Sequence, residues 1–379
     1  MSASGPHVLI LGGGLAGSAA AIELARAGRT VTLLERDREP KHKVCGEFLS
    51  AEATHLLHHL GVSPTQLGAL PIQAVRLCSK RALTEAPLPF PALSLTRKRL
   101  DAALLTAAQD AGAKVLRGAS VKSLHHASHG WQATTTDGRV FPAGEAILAT
   151  GKHDLRGFTR PPGVQRDLLG LKLYLRLAST QHAALAGHVE LLLHPEGYTG
   201  LQPVEDGLAN LCALVRRSTL TRFGTDGQRL LDSLRQSSRH ADARLATAEA
   251  LDHKPLAIAP IPYGFVRKHA LHDHLWSIGD QAAVIPSFTG DGMSIALYTG
   301  VLAAQSILRG ETARLFQLRL HSQLRAQVAR ATAISRALVH PFTSGAVSSL
   351  VHLWPGALCW TAATTRIPAR AMHTLSLAT

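Results

Sequence analysis

Three glycines near the start of the chain, Gly12-x-Gly14-x-x-Gly17, and an acid at Glu35 are spaced to bind a phosphate-bearing ligand. The glycines follow the apolar run His7-Val-Leu-Ile-Leu and open a stretch of small residues of helical type. A second apolar run, Thr30-Val-Thr-Leu-Leu-Glu35, ends in the acid. Gly12 suits the tight turn, Gly14 lets the backbone approach a pyrophosphate, and Gly17 lets the helix pack close to the strand. Unpaired N–H groups and the helix dipole favour negative charge at that helix N-terminus. Glu35 stands where an acid accepts hydrogen bonds from ribose hydroxyls. Strand, helix, strand and acid together form a dinucleotide-binding βαβ unit.

The glycines do not say which dinucleotide binds, and three further segments point to FAD. Lys43-Val-Cys45-Gly46-Glu47-Phe48 follows soon after the acid. Leu275-Trp-Ser-Ile-Gly279-Asp280 is another apolar strand, ending in Gly-Asp, and its Asp can accept hydrogen bonds from a ribityl chain. Pro286-Ser-Phe-Thr-Gly290-Asp-Gly292-Met-Ser-Ile-Ala296 places a Gly-x-Gly turn before a helix. Backbone N–H groups there can stabilise negative charge on the pyrimidine edge of a reduced flavin.

The order of these motifs resembles the class A flavoprotein monooxygenases of the para-hydroxybenzoate hydroxylase fold. Within that superfamily the chain resembles the geranylgeranyl reductase-like flavoproteins. The closer resemblance rests on Lys43-x-Cys45-Gly46-Glu47, on Arg97-Lys-Arg-Leu-Asp101 and on the Pro286–Ala296 block, and it runs to about Ala304. It implies that Gly12, Gly14, Gly17 and Glu35 hold the ADP half of FAD, with Arg36 and Lys43 counted among the cofactor-binding residues. It implies Arg97 near the pyrophosphate and ribityl chain and Asp280, after Gly279, on the ribityl group. Gly290 and Gly292 are implied beside the isoalloxazine, and Cys45 and Gly46 approach the ring from another side. The chain also departs from the superfamily. Thr150 stands where the hydroxylases carry an Asp tied to NAD(P)H use, and the Trp-x-Trp-x-Ile-Pro signature of the halogenases is absent. No second glycine fingerprint follows a strand. NAD(P)H is therefore expected only as a transient reductant, or a separate reductase supplies the electrons.

The 379 residues suffice for two cores, and 46% hydrophobic content argues against disorder. The expected fold class is α/β. A discontinuous Rossmann-like FAD-binding domain spans 1–70, 92–160 and 270–325. A second, mixed-sheet substrate domain spans 71–91 and 161–269, and a C-terminal helical segment spans 326–379. Leu171–Leu177 alternates apolar and polar and predicts a half-exposed strand, while 219–251 predicts helix. Asp137-Gly138 predicts a hairpin turn. The four cysteines, Cys45, Cys78, Cys212 and Cys359, form no C-x-x-C pair, and the 21 histidines are scattered, so no metal site is expected.

The formal net charge is +14. Nucleic acid is set aside, because aromatic residues make up only 4% of the chain and no nucleic-acid fold signature is present. An anionic membrane surface, an acidic protein or substrate, and a merely basic composition without a partner stay open, and the C-terminus favours the membrane surface. Between Arg336 and Arg366 there is no Asp, Glu, Lys or Arg, and the stretch carries Trp354 and Trp360. Diluted by Ser, Thr, His352 and Pro355, it suits an interfacial helix or a packed helix better than a spanning one. Truncation after Arg336 is expected to leave FAD bound. The run at Val8 leads into the glycines without a basic stretch before it and reads as a strand, not a targeting segment. A cytoplasmic, bacterial-like protein is expected, resting peripherally on the inner membrane.

The chemistry expected is that of a flavin. Either the reduced flavin and oxygen oxygenate a substrate, or a hydride passes to or from a carbon–carbon bond. The substrate is an apolar or aromatic small molecule, such as a lipid or polyketide-like metabolite. Candidate catalytic groups are Cys45, a thiol near the ring, Glu47, the nearest acid, and Tyr198, between Gly197 and Gly200 on the substrate wall. The alternative is a non-enzymatic prenyl- or lipid-binding protein of the same fold.

Overall fold

The computed structural model describes residues 5–80, 82–128, 130–195, 197–219, 224 and 226–377. The strand Val8–Leu11 is the centre of a five-stranded parallel sheet. Glu145–Leu148 and then Leu275–Ser277 lie on one side, and Val31–Glu35 and then Lys114–Arg117 on the other. Side chains alternate across a strand. Val8 and Ile10 therefore enter a core shared with the helices Leu15–Arg26, Arg97–Asp110 and Gly292–Leu308. Leu9 and Leu11 enter a second core beneath the antiparallel strands Val121–Ala127, Gly130–Thr135 and Val140–Ala143. Coverage on both faces explains why the run is apolar without a break. The Asp137-Gly138 turn joins the last two of these strands, with Gly138 at φ +84°.

A nine-stranded mixed sheet forms the second layer. Its central strands Leu168–Arg176, Leu208–Arg216, Gly197–Val204 and Gly187–His194 run antiparallel in that order. Gly187–His194 then pairs in parallel with Leu70–Cys78, which pairs with Leu83–Ser94. Residues 71–91 thus join 161–269 in one sheet, although the chain separates them.

Leu168–Arg176 is not half-exposed: every residue but Arg176 is buried. Leu169, Leu171, Leu173 and Leu175 pack with Leu230, Leu231 and Leu234 of the helix Gly227–Arg235. The polar Lys172 and Tyr174 face the nucleotide-binding layer instead, where Glu47 receives both. Alternation marks two different environments here, one apolar and one polar, and neither is water.

The expected helix over 219–251 is two helices, Gly227–Arg235 and Arg239–Leu245, followed by the short strand Glu249–Ala250. Asp226 and Ser238 cap their N-termini through side-chain oxygens. Residues 220–223 and 225 lie outside the described residues. The expected boundary at 325 falls inside one continuous helix, Ala313–Val339. After it come Pro341–Leu353, Gly356–Thr364 and Ala369–Met372. Val351, Ala357 and Leu358 pack towards the mixed sheet, and Ile367, Ala371 and Leu375 return to the nucleotide-domain core. The C-terminal segment is therefore part of the body of the protein.

Candidate active site

One continuous cavity runs between the two sheets and beneath the C-terminal helices. Gly14, Arg97, Gly279, Asp280, Gly290 and Gly292 line one half. Apolar side chains such as Leu77, Phe90, Val189 and Leu191 line the other, together with Val351 and Leu358 of the C-terminal helices. Cys45, Gly46 and Tyr198 lie on the wall as well.

The remaining predicted residues stand outside the wall. Gly12 has φ +113°, and a Cβ on it would come 2.4 Å from the Ala149 carbonyl oxygen. Gly17 lies against the Gly12 carbonyl, which a Cβ would meet at 1.9 Å. These two glycines shape the turn. Glu35 is buried, and its carboxylate accepts the Gly13 N–H at 2.7 Å and the Asp37 N–H at 3.0 Å. It therefore holds the glycine turn, and its remaining lone pairs are what a ribose hydroxyl would use. Arg36 is exposed, with its guanidinium 3.0 Å from His153 Nε2. Lys43 pairs with Asp101 at 3.0 Å.

The cavity half lined by glycines fits FAD. A Cβ on Gly46 or Gly292 would meet nothing within 4 Å, and on Gly14 only the Arg97 guanidinium at 3.6 Å. The helices starting at Leu15 and Gly292 have no side-chain cap, so their first N–H groups are free for an anion and for the flavin edge. Arg97 supplies a cation beside Gly14. Burial alone would lower its pKa, but the Asp101 carboxylate, at 2.8 Å, outweighs that and keeps it charged.

Glu47, expected as an acid near the ring, does not line this cavity. It is fully buried at φ +63°. Its Oε1 accepts from the Arg97 N–H at 2.8 Å and the Tyr174 hydroxyl at 2.7 Å, and lies 2.6 Å from Lys172 Nζ. Burial raises its pKa, opposed chiefly by Lys172. Glu47 thus anchors the Cys45-Gly46 turn from behind. The mixed sheet grips the same turn. Asn210 donates to the Cys45 and Gly46 carbonyls at 3.1 and 2.8 Å, and Gln202 donates to the Glu47 carbonyl at 3.0 Å. Lys172, Gln202 and Asn210 were not singled out from the sequence. Their signal was a polar residue in an otherwise apolar strand, which equally describes an exposed position.

Tyr198 is 2% exposed. Its hydroxyl lies 3.1 Å from Ser287 Oγ and accepts the Phe288 N–H at 3.3 Å. Burial pushes its pKa up to about 12, so the phenol stays protonated. It ties the substrate wall to the Pro286–Ala296 block. Cys45 lies beside the Arg97 guanidinium, and Cys212, not expected near the ring, lines the cavity too. Cys78 is in the sheet core, and Cys359 donates to the Pro87 carbonyl. Among the described residues, one grouping has metal-ligand spacing, Cys78, Glu190 and His240. Arg76 and Arg244 already hold Glu190, and their charges oppose a cation.

The sheet, the open glycines and the FAD-shaped half of the cavity define an FAD-dependent oxidoreductase. Residues 6–141 match the FAD binding domain family. The chain is 28% identical over 326 residues to the menaquinone reductase of Mycobacterium tuberculosis, covering 82% of this chain and 78% of that protein. It is 25% identical over 330 residues to digeranylgeranylglycerophospholipid reductase 2 of Methanosphaera stadtmanae, covering 80% and 79%. Its fold matches that of CmlS, a flavin-dependent halogenase, with a TM-score of 0.75 at 20% identity, over 89% of this chain and 65% of the halogenase's length. These comparisons support a geranylgeranyl reductase-like FAD flavoprotein. Relatives named as enzymes disfavour the non-enzymatic alternative.

Proposed function

We propose that the chain reduces a carbon–carbon double bond of an apolar lipid, and that it takes this lipid from an anionic membrane surface. The observation that carries the reading is the apolar half of the cavity, which opens from the flavin cradle and is roofed by the C-terminal helices. Relatives matched over about four-fifths of the chain are named as reductases of a quinone and of a lipid. FAD bound here and reduced by two electrons would supply the hydride. The chain's part is to orient the substrate, exclude water and place a proton source. The Cys45 thiol and the Tyr198 hydroxyl are the candidates on the wall. The flavin is recharged by NAD(P)H binding transiently or by a separate reductase.

The test is anaerobic. Protein carrying reduced FAD is mixed with polyunsaturated isoprenoid lipids in detergent. The expected result is reoxidation of the flavin with a lipid product that has gained two hydrogens. Cys45→Ser is expected to slow this step and shift the flavin spectrum more than Cys359→Ser does. If the flavin stays reduced until air enters, and the product then carries oxygen, the reductase reading fails.

The membrane part rests on exposed apolar groups. Phe342 is 89% exposed and Leu353 82%, and Leu350, Trp354 and Trp360 are exposed beside them. Their helices line the cavity with the opposite faces. Among the described residues, no helix is long and apolar enough to cross a membrane. Exposed Arg330, Arg336 and Arg370 lie near this surface in sequence, each worth about 1 kcal/mol against an anionic bilayer. Arg366, at the end of the uncharged stretch, is buried and paired with Asp291, so it is not available to lipid. Truncation after Arg336 would also remove the cavity roof, so it is no test of membrane binding alone. Instead, replacing Phe342, Leu353, Trp354 and Trp360 by Ser is expected to abolish co-sedimentation with phosphatidylglycerol vesicles while FAD stays bound. Wild-type binding should fall as salt rises, since the Debye length is about 8 Å at physiological salt. A wild-type protein that ignores these vesicles at low salt would refute the docking.

A further inference from the structure

Arg366 lies between the helices Gly356–Thr364 and Ala369–Met372, 75 positions after Asp291 in the Gly290-Asp291-Gly292 turn. Its guanidinium reaches that turn from the C-terminal side. One nitrogen donates to the Thr289 carbonyl, and another lies 3.3 Å from the Asp291 carboxylate. The guanidinium also stacks over Phe90 on the cavity wall, 5.0 Å from the ring centre. Gln327 of the helix Ala313–Val339 completes the node. Its amide donates to Asp291 and, at 2.7 Å, to the Thr365 carbonyl. Asp291 is fully buried, and Arg366 is 7% exposed.

We propose that Arg366 is a positioning residue for the flavin, holding the turn Thr289–Gly292 so that the free N–H groups at the start of the helix Gly292–Leu308 face the isoalloxazine. The proposal rests on FAD occupying this cavity. A buried ion pair adds little stability over apolar packing, but it fixes one arrangement. The planar guanidinium fork meets a carbonyl and a carboxylate of one turn at once, which a lysine ammonium does less well. The groups facing Asp291 are Arg366, Glu52 of the helix Ala51–His59, Gln327, and Ser294 on its own helix. Burial pushes its pKa up to about 7, with Arg366 pulling it down and Glu52 pushing it further up. Without Arg366 the carboxyl binds a proton more readily, and a neutral acid then sits behind the flavin-facing N–H groups.

The test compares FAD-loaded wild type, Arg366→Lys, Arg366→Gln and the double variant Arg366→Gln/Asp291→Asn. Flavin midpoint potential and absorbance are followed between about pH 6 and pH 8, and amide exchange over 289–295 is followed by mass spectrometry. In Arg366→Gln, FAD affinity is expected to fall about tenfold, as for loss of one charged hydrogen bond. The Asp291-linked inflection in its potential should move to higher pH than in the wild type, and the double variant, which has no carboxyl there, should lose it. Arg366→Lys should keep the wild-type pH dependence but exchange faster over 289–295. If Arg366→Gln does not fold, the Arg366→Lys exchange result decides. Wild-type potential, spectrum and exchange in both single variants would overturn the proposal. A wild-type protein that binds no FAD would overturn the cofactor reading and this proposal with it.

Discussion

Gly14→Val is expected to give a colourless protein that still folds, whereas the unaltered chain is purified yellow. A side chain at Gly14 enters the cavity and meets only the far end of Arg97. It fills the space beside the uncapped N-terminus of the helix Leu15–Arg26, where the pyrophosphate belongs. FAD affinity should fall at least about a hundredfold, or about 2.7 kcal/mol. The melting temperature of the FAD-free protein should barely change. Gly17→Val is the contrast. Its Cβ would overlap the Gly12 carbonyl oxygen, so the backbone must move and the fold itself suffers, by about 1–3 kcal/mol or more. Absorbance near the flavin band and thermal melts with and without FAD separate the two. Equal FAD binding in wild type and Gly14→Val would place the cofactor elsewhere.

Lys172→Met should be the most destabilising of the single changes that leave the cavity wall untouched. Lys172 and Glu47 are both fully buried, and removing one partner strands the other in a poorly polarisable site. Breaking such a pair costs about 3–5 kcal/mol. Glu47 also sits at φ +63°, a conformation that its hydrogen bonds must hold in place. The pH dependence has a definite sign. Burial already raises the Glu47 pKa above its unfolded value, and Lys172 is the main opposing influence. Without Lys172 the folded pKa rises further. The protonated carboxyl is tolerated at acidic pH, and stability is lost as pH rises through that folded pKa. The deficit in Lys172→Met, measured by urea unfolding, should therefore be smaller in acid than at neutral pH. Lys172→Met/Glu47→Gln should recover much of the loss, since no charge is left unpaired. A neutral single variant would mean that the Cys45-Gly46 turn is held by Asn210 and Gln202 without help from Glu47.

These two expected results divide along what was legible in the chain. The glycine fingerprint, Gly279-Asp280 and the Gly290-Asp-Gly292 turn could be read without coordinates. Their expected role rests on backbone N–H groups and steric space, which short local patterns carry. The alternation of Leu171–Leu177 was also visible, but its meaning was not. A polar residue in a strand reads as facing water until something is known to cover it. Packing supplies the cover: Tyr174 meets Glu47 across 127 positions, and Asn210 meets Gly46 across 164. Arg366 is the same case. In the chain it is a basic residue after an uncharged stretch, suited to lipid, and only the return of the C-terminal segment to Asp291 turns it inward. The sequence by itself determined the cofactor class and the sheet that carries it, because those rest on local backbone geometry. Only the tertiary structure decided which charged groups are buried together behind the flavin cradle. An ion pair between distant residues has no local signature, and its sign and strength depend on how fully the surrounding layers exclude water.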